Sequence, residues 1–266
     1  MRGFFSFLLD SLIRPRCAIC AAPTGPVPGR EGVRIPDGWP PETIAFLEAC
    51  PPGPGGRGPG AEVLCASCWM KLAPLRDPGN AASSPGCARV IAPFRENGTL
   101  VSLVRFLKFE GGRRAAWPLA WWMARSLERE MGLPPRAALV PVPLHGARLA
   151  SRGYNQAELL AEGVSSLTGI PVIRGRVRRA RRTRAQSKLD RARRAANVHG
   201  AFELRRAGGL GGLTAIVVDD LVTSGATAAA CAGALLGAHP ARIVVLAAGT
   251  ALACGKIPLK VRASCV

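Results

Sequence analysis

The sequence predicts an α/β fold, a parallel sheet flanked by helices, with a small separate module ahead of it. Three observations predict it. Ile216-Val217-Val218 is a β-branched run without polar alternation, the pattern of a strand buried on both faces. It stops at Asp219-Asp220 and a short turn, and Ala226 to Leu236 then reads as a helix. Leu139-Val140-Pro141-Val142-Pro143 repeats the pattern, a short buried strand followed by a polar loop and a helical periodicity. The first third of the chain is different, with dense Pro and Gly and two Cys-x-x-Cys pairs.

Length and composition bound the reading. At 266 residues the chain holds one large domain, or an ordinary domain and a small one, and its 48% hydrophobic content is that of a globular protein. The net charge of +19 exceeds what solubility requires and implies polyanionic company: phosphates, nucleic acid or an anionic surface. The apolar start, Phe4 to Ile13, is too short to span a bilayer and lacks a following cleavage site, so it reads as a short amphipathic helix and no membrane span is expected. Nine cysteines without a secretory leader suggest a reducing, cytoplasmic compartment where thiols bind metal rather than pair.

Cys17-Ala18-Ile19-Cys20 and Cys65-Ala66-Ser67-Cys68 are two such pairs. Each tight turn aims two sulfurs at one point, so Cys17, Cys20, Cys65 and Cys68 together can supply four thiolates to one structural Zn²⁺ in a zinc-ribbon-like module. The 44 residues between the pairs are Pro/Gly-rich at both ends, with a short helix near Glu42 to Glu48, and most of the 23–62 insert is expected to be loop. Cys50 and Cys87 are unassigned thiols, either of which could replace a ligand, whereas Cys231 reads as a buried apolar cysteine in its Ala-rich helix. The division expected is a zinc-binding module over 1–89, an α/β domain over 90–249 and a tail over 250–266, with no role for Cys254 or Cys265.

Within the α/β domain, Val90 to Phe94 resembles an edge strand, and Leu100, Leu103, Val104 and Leu107 mark one face of a helix. A further amphipathic helix, Trp117 to Met131, carries Trp117, Trp121 and Trp122, a cluster more typical of packing than of base stacking. The loop after Pro143 lies on the same sheet rim as the Asp-Asp turn, because ligands of open α/β sheets collect at the carboxyl ends of the strands. Arg148 and Arg152 would face an anion there, and two cations at a helix start, where positive charge is mildly unfavourable, favour function over surface. His145 could serve as an acid or base, but a lone loop histidine is more often neither. A helix running from Asn155 closes at Gly169.

Between Arg174 and Arg206 stand thirteen basic residues and two acids. The stretch from Arg181 to Val198, including Arg184, Gln186, Lys188, Arg191 and Arg194, has too few apolar residues to pack alone and reads as a flexible loop that an anion would order. A strand resumes at Ala201 to Leu204, Gly208 to Gly212 reads as a hairpin, and Arg242 to Ala248 as the strand after the Ala-rich helix.

Thr223, Ser224, Gly225, Ala226 and Thr227 present backbone N–H groups, hydroxyls and a helix N-terminus, a cradle for one phosphate, with Gly225 leaving room for close backbone approach. Asp219 and Asp220 suit the 2′ and 3′ hydroxyls of a pentose reaching away from that phosphate, so the segment fits a ribose 5-phosphate.

Asp219 to Thr227 resembles the phosphoribosyl pyrophosphate (PRPP) signature of type I phosphoribosyltransferases. Together with Ala92-Pro93-Phe94-Arg95, Leu107-Lys108-Phe109, Pro141-Val142-Pro143-Leu144, Arg152-Gly153-Tyr154-Asn155-Gln156 and Ala201-Phe202, it resembles the ComF family, in which a zinc-binding region precedes a phosphoribosyltransferase domain associated with DNA uptake in competence. The resemblance implies a type I phosphoribosyltransferase-like sheet, PRPP carrying Mg²⁺ as ligand, and Asp219, Asp220, Arg148 and Arg152 as the catalytic set. It leaves two functional classes open. One is a phosphoribosyltransferase in which the basic loop and arginines help pyrophosphate leave. The other is a non-catalytic adaptor that binds single-stranded DNA or DNA-processing proteins, with a vestigial or regulatory PRPP site. No segment reads as a nucleobase-specific hood, which favours the adaptor or an unusual acceptor.

Overall fold

The structure, a computed structural model, describes residues 16–24, 63–75, 86–109, 112–180, 200–205, 208–253 and 255–259. The chain forms two compact units, one of Met1–Ala73 with Asn97–Pro118 and one of Pro74–Glu96 with Leu119–Val266. The short helix expected at the start, the helix near Glu42, Cys50, Cys254 and Cys265 lie outside the described residues.

In the first unit the two Cys-x-x-Cys turns are joined by a main-chain bond, Ala18 N–H to Val63 O at 2.8 Å. The second turn opens a short helix, α1 (Ala66–Met70), and a two-residue strand, β1 (Ala73–Pro74), follows at the boundary of the two units in the chain. Helix α2 (Gly98–Lys108) starts at Asn97, whose side-chain oxygen accepts from the Leu100 N–H at 2.9 Å while its amide donates to Lys71 O at 2.8 Å. One residue thus caps α2 and anchors the C-cap residue of α1. Leu100, Leu103, Val104 and Leu107 are all buried, as their spacing predicts.

The second unit is α/β. Strands β2 (Cys87–Ile91), β3 (Phe94–Arg95), β4 (Ala137–Pro141), β7 (Thr214–Val222), β8 (Arg242–Thr250) and β9 (Lys256–Pro258) belong to one sheet, and β5 (Val177–Arg179) pairs antiparallel with β6 (Phe202–Leu204) in a second. In the main sheet β4, β7, β8 and β2 run parallel in that order, with Val140 beside Val217 and Val217 beside Val245. β7 therefore has a parallel neighbour on each side. Ile216, Val217 and Val218 are fully buried, which is why they show no polar alternation. Among the described residues stand also helices α3 (Ala116–Met131), α4 (Gly146–Arg152), α5 (Gln156–Thr168) and α6 (Ala226–Leu235), with short 3-10 turns at Gly112–Ala115 and Leu236–Ala238. Trp122 packs edge-on against Phe94 and Trp121, with ring centroids 5.1 and 5.5 Å apart, so these tryptophans serve packing.

Three local expectations change. The central strand does not stop at Asp219 and Asp220 but carries both and runs on to Val222, where it still pairs with β8. The segment read as an edge strand splits into β2 and β3, and β2 is interior, because β9 adds antiparallel on its far side with Ala88 beside Ile257. The glycine-rich 208–212 stretch is not a hairpin: β6 before it pairs with β5, and β7 after it pairs with β4 and β8, so the turn connects two different sheets.

Candidate functional site

The first unit holds a thiol cluster. Cys17, Cys20, Cys65 and Cys68 bring their sulfurs within 4.8 Å of one another, with Cys20 and Cys65 3.6 Å apart. A tetrahedral zinc with Zn–S bonds of about 2.3 Å requires S···S separations of about 3.8 Å, so small side-chain adjustments bring the four thiols onto that ion. Local geometry builds the cluster. The first turn closes through Cys17 N–H to Ala22 O at 2.8 Å and Ala21 N–H to Cys17 O at 3.0 Å, and the second through Cys68 and Trp69 N–H to Cys65 O, both at 3.0 Å. Burial pushes the Cys17 thiol up, but the backbone N–H groups of Cys20, Cys65 and Ile19 and the Cys20 side chain outweigh it and bring it to about 7. The Cys65 and Cys68 thiols are raised, by burial first. Cys17 is thus the more readily ionised thiol, and Cys65 and Cys68 hold their protons more tightly, as crowding of thiols at one point produces. It is a site of the structural-zinc type. Cys87, in β2, is not a member among the described residues.

In the second unit, Asp219 and Asp220 sit near the carboxyl end of β7 and are 8% and 3% exposed, an unusual burial for adjacent carboxylates. Buried acids need donors. Gln156, the first residue of α5 and itself buried, donates from Nε2 to Asp220 Oδ2 at 2.7 Å, and the Asp220 N–H donates to Asp219 Oδ1 at 2.9 Å. The Gln156 carbonyl in turn accepts from the Arg152 guanidinium. Asn155 holds this loop in place: its oxygen caps α5 through the Ala157 N–H at 3.1 Å, and its amide donates to Val142 O at 3.0 Å. Val142 continues β4 beside β7 through its N–H to Val218 O at 2.9 Å. The Arg-Gly-Tyr-Asn-Gln segment is therefore tied both to the strand and to its acid.

The Thr223–Thr227 turn follows directly. Gly225, with φ +76°, is the N-cap of α6, and Ala229 N–H makes the first helical bond to its carbonyl at 2.8 Å. Ser224 Oγ is buried and has no hydrogen-bond partner among the described residues. At the end of β8, Thr250 steadies the start of the turn, its hydroxyl donating to Val222 O at 3.1 Å and accepting from Leu252 N–H at 3.0 Å. From the sequence, Gly225 is expected to leave room for a phosphate. The structure adds a packing reason, since a Cβ there would lie 2.4 Å from Ile257 Cγ2 of β9.

The arginines are placed differently from one another. α4 is a separate helix capped by His145, whose Nδ1 accepts from the Ala147 N–H at 3.2 Å, so this histidine has a structural task. Arg148 stands in the first turn, where a cation is mildly unfavourable, and Arg152 in the last, where it is favourable, so the two do not share the helix-start position that the sequence predicts. Burial lowers the proton affinity of Arg152; Asp220 and Tyr154 oppose this and Arg148 adds to it. Arg179, at the end of β5, stacks over Phe202 with 5.2 Å from guanidinium to ring centroid. Its proton affinity is lowered by burial and then by Arg148, and raised by Asp219. Three guanidiniums and two carboxylates thus act on one another around the rim, an arrangement that can take an anion beside acceptors for hydroxyl groups. Arg179 was missed in the sequence because it sat inside a charge run; the signal was Val177-Arg178-Arg179 alternating as a strand does, with only Val177 fully buried. The loop residues Arg184, Gln186, Lys188, Arg191 and Arg194 lie outside the described residues.

Comparison with known proteins finds named relatives. No family model matches the chain. It is similar to the DNA utilization protein YhgH of Salmonella typhi, 32% identical over 178 residues that cover 65% of this chain and 78% of that protein. The protein of the same name from Escherichia coli strain K12 is 34% identical over 180 residues, covering 66% and 78%. Competence protein F of Haemophilus influenzae is 33% identical over 127 residues, covering 40% and 52%. Identity above 30% across more than three quarters of a relative's length is common descent, and the chain belongs to the ComF family.

Proposed function

We propose that the second unit binds a phosphorylated ribose, PRPP with its Mg²⁺ or ribose 5-phosphate, in the service of DNA uptake or utilization. The single observation that carries this is the pair of buried carboxylates at the end of the central strand, followed at once by a turn whose buried serine hydroxyl has no partner among the described residues. In this reading Asp219 and Asp220 accept from the ribose hydroxyls. The N–H groups and hydroxyls of Thr223, Ser224, Gly225, Ala226 and Thr227 take the 5′-phosphate at the N-terminus of α6. Arg148, Arg152 and Arg179, with the loop cations Arg184, Lys188, Arg191 and Arg194 and the amide of Gln186, stabilise pyrophosphate. Mg²⁺ travels with PRPP and supplies charge neutralisation between its phosphate oxygens, so the protein needs no carboxylate cage of its own. Transfer from PRPP requires mainly electrostatic stabilisation of a departing pyrophosphate, which these cations supply.

Calorimetry tests the reading. Wild type should bind PRPP in the presence of Mg²⁺, and Asp219→Asn with Asp220→Asn should weaken binding at least about tenfold, because charge-assisted hydrogen bonds are worth about 1.5–3 kcal/mol each. Absence of heat from wild type at high ligand concentration would make the signature a relic of ancestry.

The net charge of +19 and the thirteen cations between Arg174 and Arg206 favour a second reading, salt-sensitive binding of single-stranded nucleic acid as an adaptor. Anisotropy with a labelled oligonucleotide should show affinity falling steeply from low to physiological salt and weakened by Arg181→Ala, Arg182→Ala and Arg184→Ala. An affinity unmoved by those changes would confine the loop to the small-molecule site.

A further inference from the structure

We infer that Gln156 is the positioning residue of the sugar site: it fixes the Asp220 carboxylate for the ribose hydroxyls and is itself held in the required amide orientation by Arg152. The inference rests on the ribose-phosphate reading above and goes one step further, to the residue that makes one buried acid serviceable.

The geometry is directional. A glutamine amide has a donor end and an acceptor end, and each end here has a partner that accepts only one of them. Arg152 can only donate, so it takes the oxygen, and the Asp220 carboxylate oxygen accepts, so it takes the nitrogen, at 2.7 Å. The alternative amide orientation would set oxygen against carboxylate and N–H against guanidinium. Gln156 is 6% exposed and stands at the first position of α5, where the Asn155 cap and the bond from Asn155 to Val142 fix its backbone. Asp220, 3% exposed, is thus held at one oxygen by a donor that cannot rotate away without breaking two charge-assisted bonds. Such preorganisation is what a hydroxyl-binding carboxylate needs, since a loose one would have to be ordered at the moment of binding.

The charged and titratable groups around this pair are Arg148 and Arg152 of α4, Tyr154 of the following turn, Asp219 beside Asp220 on β7, and Arg179 of β5 beyond Asp219. Replacing the amide by a carboxyl provides a test that a merely structural role would not pass. In Gln156→Glu a protonated side chain can still accept from Arg152 and donate to Asp220, reproducing the native pattern. Once ionised it places two carboxylates against each other, so the introduced acid should titrate well above the ordinary glutamate value of about 4.3.

Ribose 5-phosphate is the probe, titrated by calorimetry into full-length wild type, Gln156→Glu and Gln156→Met at pH 5 and pH 8, with thermal melts of all three. Dividing each dissociation constant by that of wild type at the same pH removes the titration of the ligand's own phosphate. For Gln156→Glu the ratio should lie within about threefold of unity at pH 5 and exceed about tenfold at pH 8. Gln156→Met, which keeps the volume and loses both bonds, should be weakened about tenfold or more at both pH values. Gln156→Met binding like wild type, or a ratio for Gln156→Glu that does not change with pH, would overturn the inference while leaving the ribose-phosphate reading intact. If wild type does not bind the probe, the reading itself fails and the inference falls with it.

Discussion

Gly225 is the residue at which packing and ligand binding are most easily confused, and replacing it by alanine separates them. Its φ of +76° puts it in the left-handed region, where a side chain costs about 1–2 kcal/mol. An added Cβ would also lie 2.4 Å from Ile257 Cγ2, against an ordinary carbon contact of about 3.5–4.0 Å, and relieving such an overlap in a packed core costs about 1–3 kcal/mol. Gly225→Ala should therefore destabilise the protein by about 2–5 kcal/mol with no ligand present. Ile257 is 1% exposed, and Ile257→Ala alone should cost about 2–5 kcal/mol through the cavity it leaves. Combined, the two changes should cost less than their sum by about 1–3 kcal/mol, because the smaller side chain removes the methyl that the new Cβ strikes. Urea unfolding followed by tryptophan fluorescence, extrapolated linearly to water, measures all four corners of the cycle. Additivity within about 0.5 kcal/mol would refute the claim that β9 closes the space behind the turn.

Other expectations are as direct. Purified protein should carry about one zinc per chain by elemental analysis, and Cys17→Ser or Cys68→Ser should lower that content and loosen the first unit; a chelated preparation with unchanged stability would contradict a structural metal. Asn155→Ala should cost about 2–4 kcal/mol in denaturant unfolding, about 1 from the lost α5 cap and the rest from a Val142 carbonyl left buried without its donor, whereas Asn155→Ser should keep the cap and lose only the second part.

What the sequence made legible was local. Ile216 to Val218 identified a central strand because a parallel strand covered on both faces has no polar side to alternate with, and the two Cys-x-x-Cys turns announced four sulfurs because each turn closes within a few residues. The α5 helix was bounded correctly by Asn155 and Gly169, residues that act on the nearest backbone. What stayed hidden depended on partners distant in the chain. Lys256–Pro258 is too short to show a strand pattern, and only its register with Cys87–Arg89 makes it part of the sheet and turns β2 into an interior strand. The Gly208–Gly212 turn has the composition of a hairpin, yet the flanking strands choose other neighbours. The position of Arg152 at a helix end depends on Gly153, with φ +77°, separating α4 from α5, where the sequence had read one helix start. The bond from Gln156 to Asp220 joins residues 64 positions apart, which no local pattern encodes.

In the function proposed above, the end of β7 and the turn after it hold a ribose phosphate. A crystal structure of the full chain grown with saturating ribose 5-phosphate tests it most directly. The expected result is the phosphate on the N–H groups of Thr223 to Thr227, within reach of Ser224 Oγ, with the ribose hydroxyls on Asp219 and Asp220. A ligand bound elsewhere, or the turn and both carboxylates unchanged and empty at saturation, would contradict it.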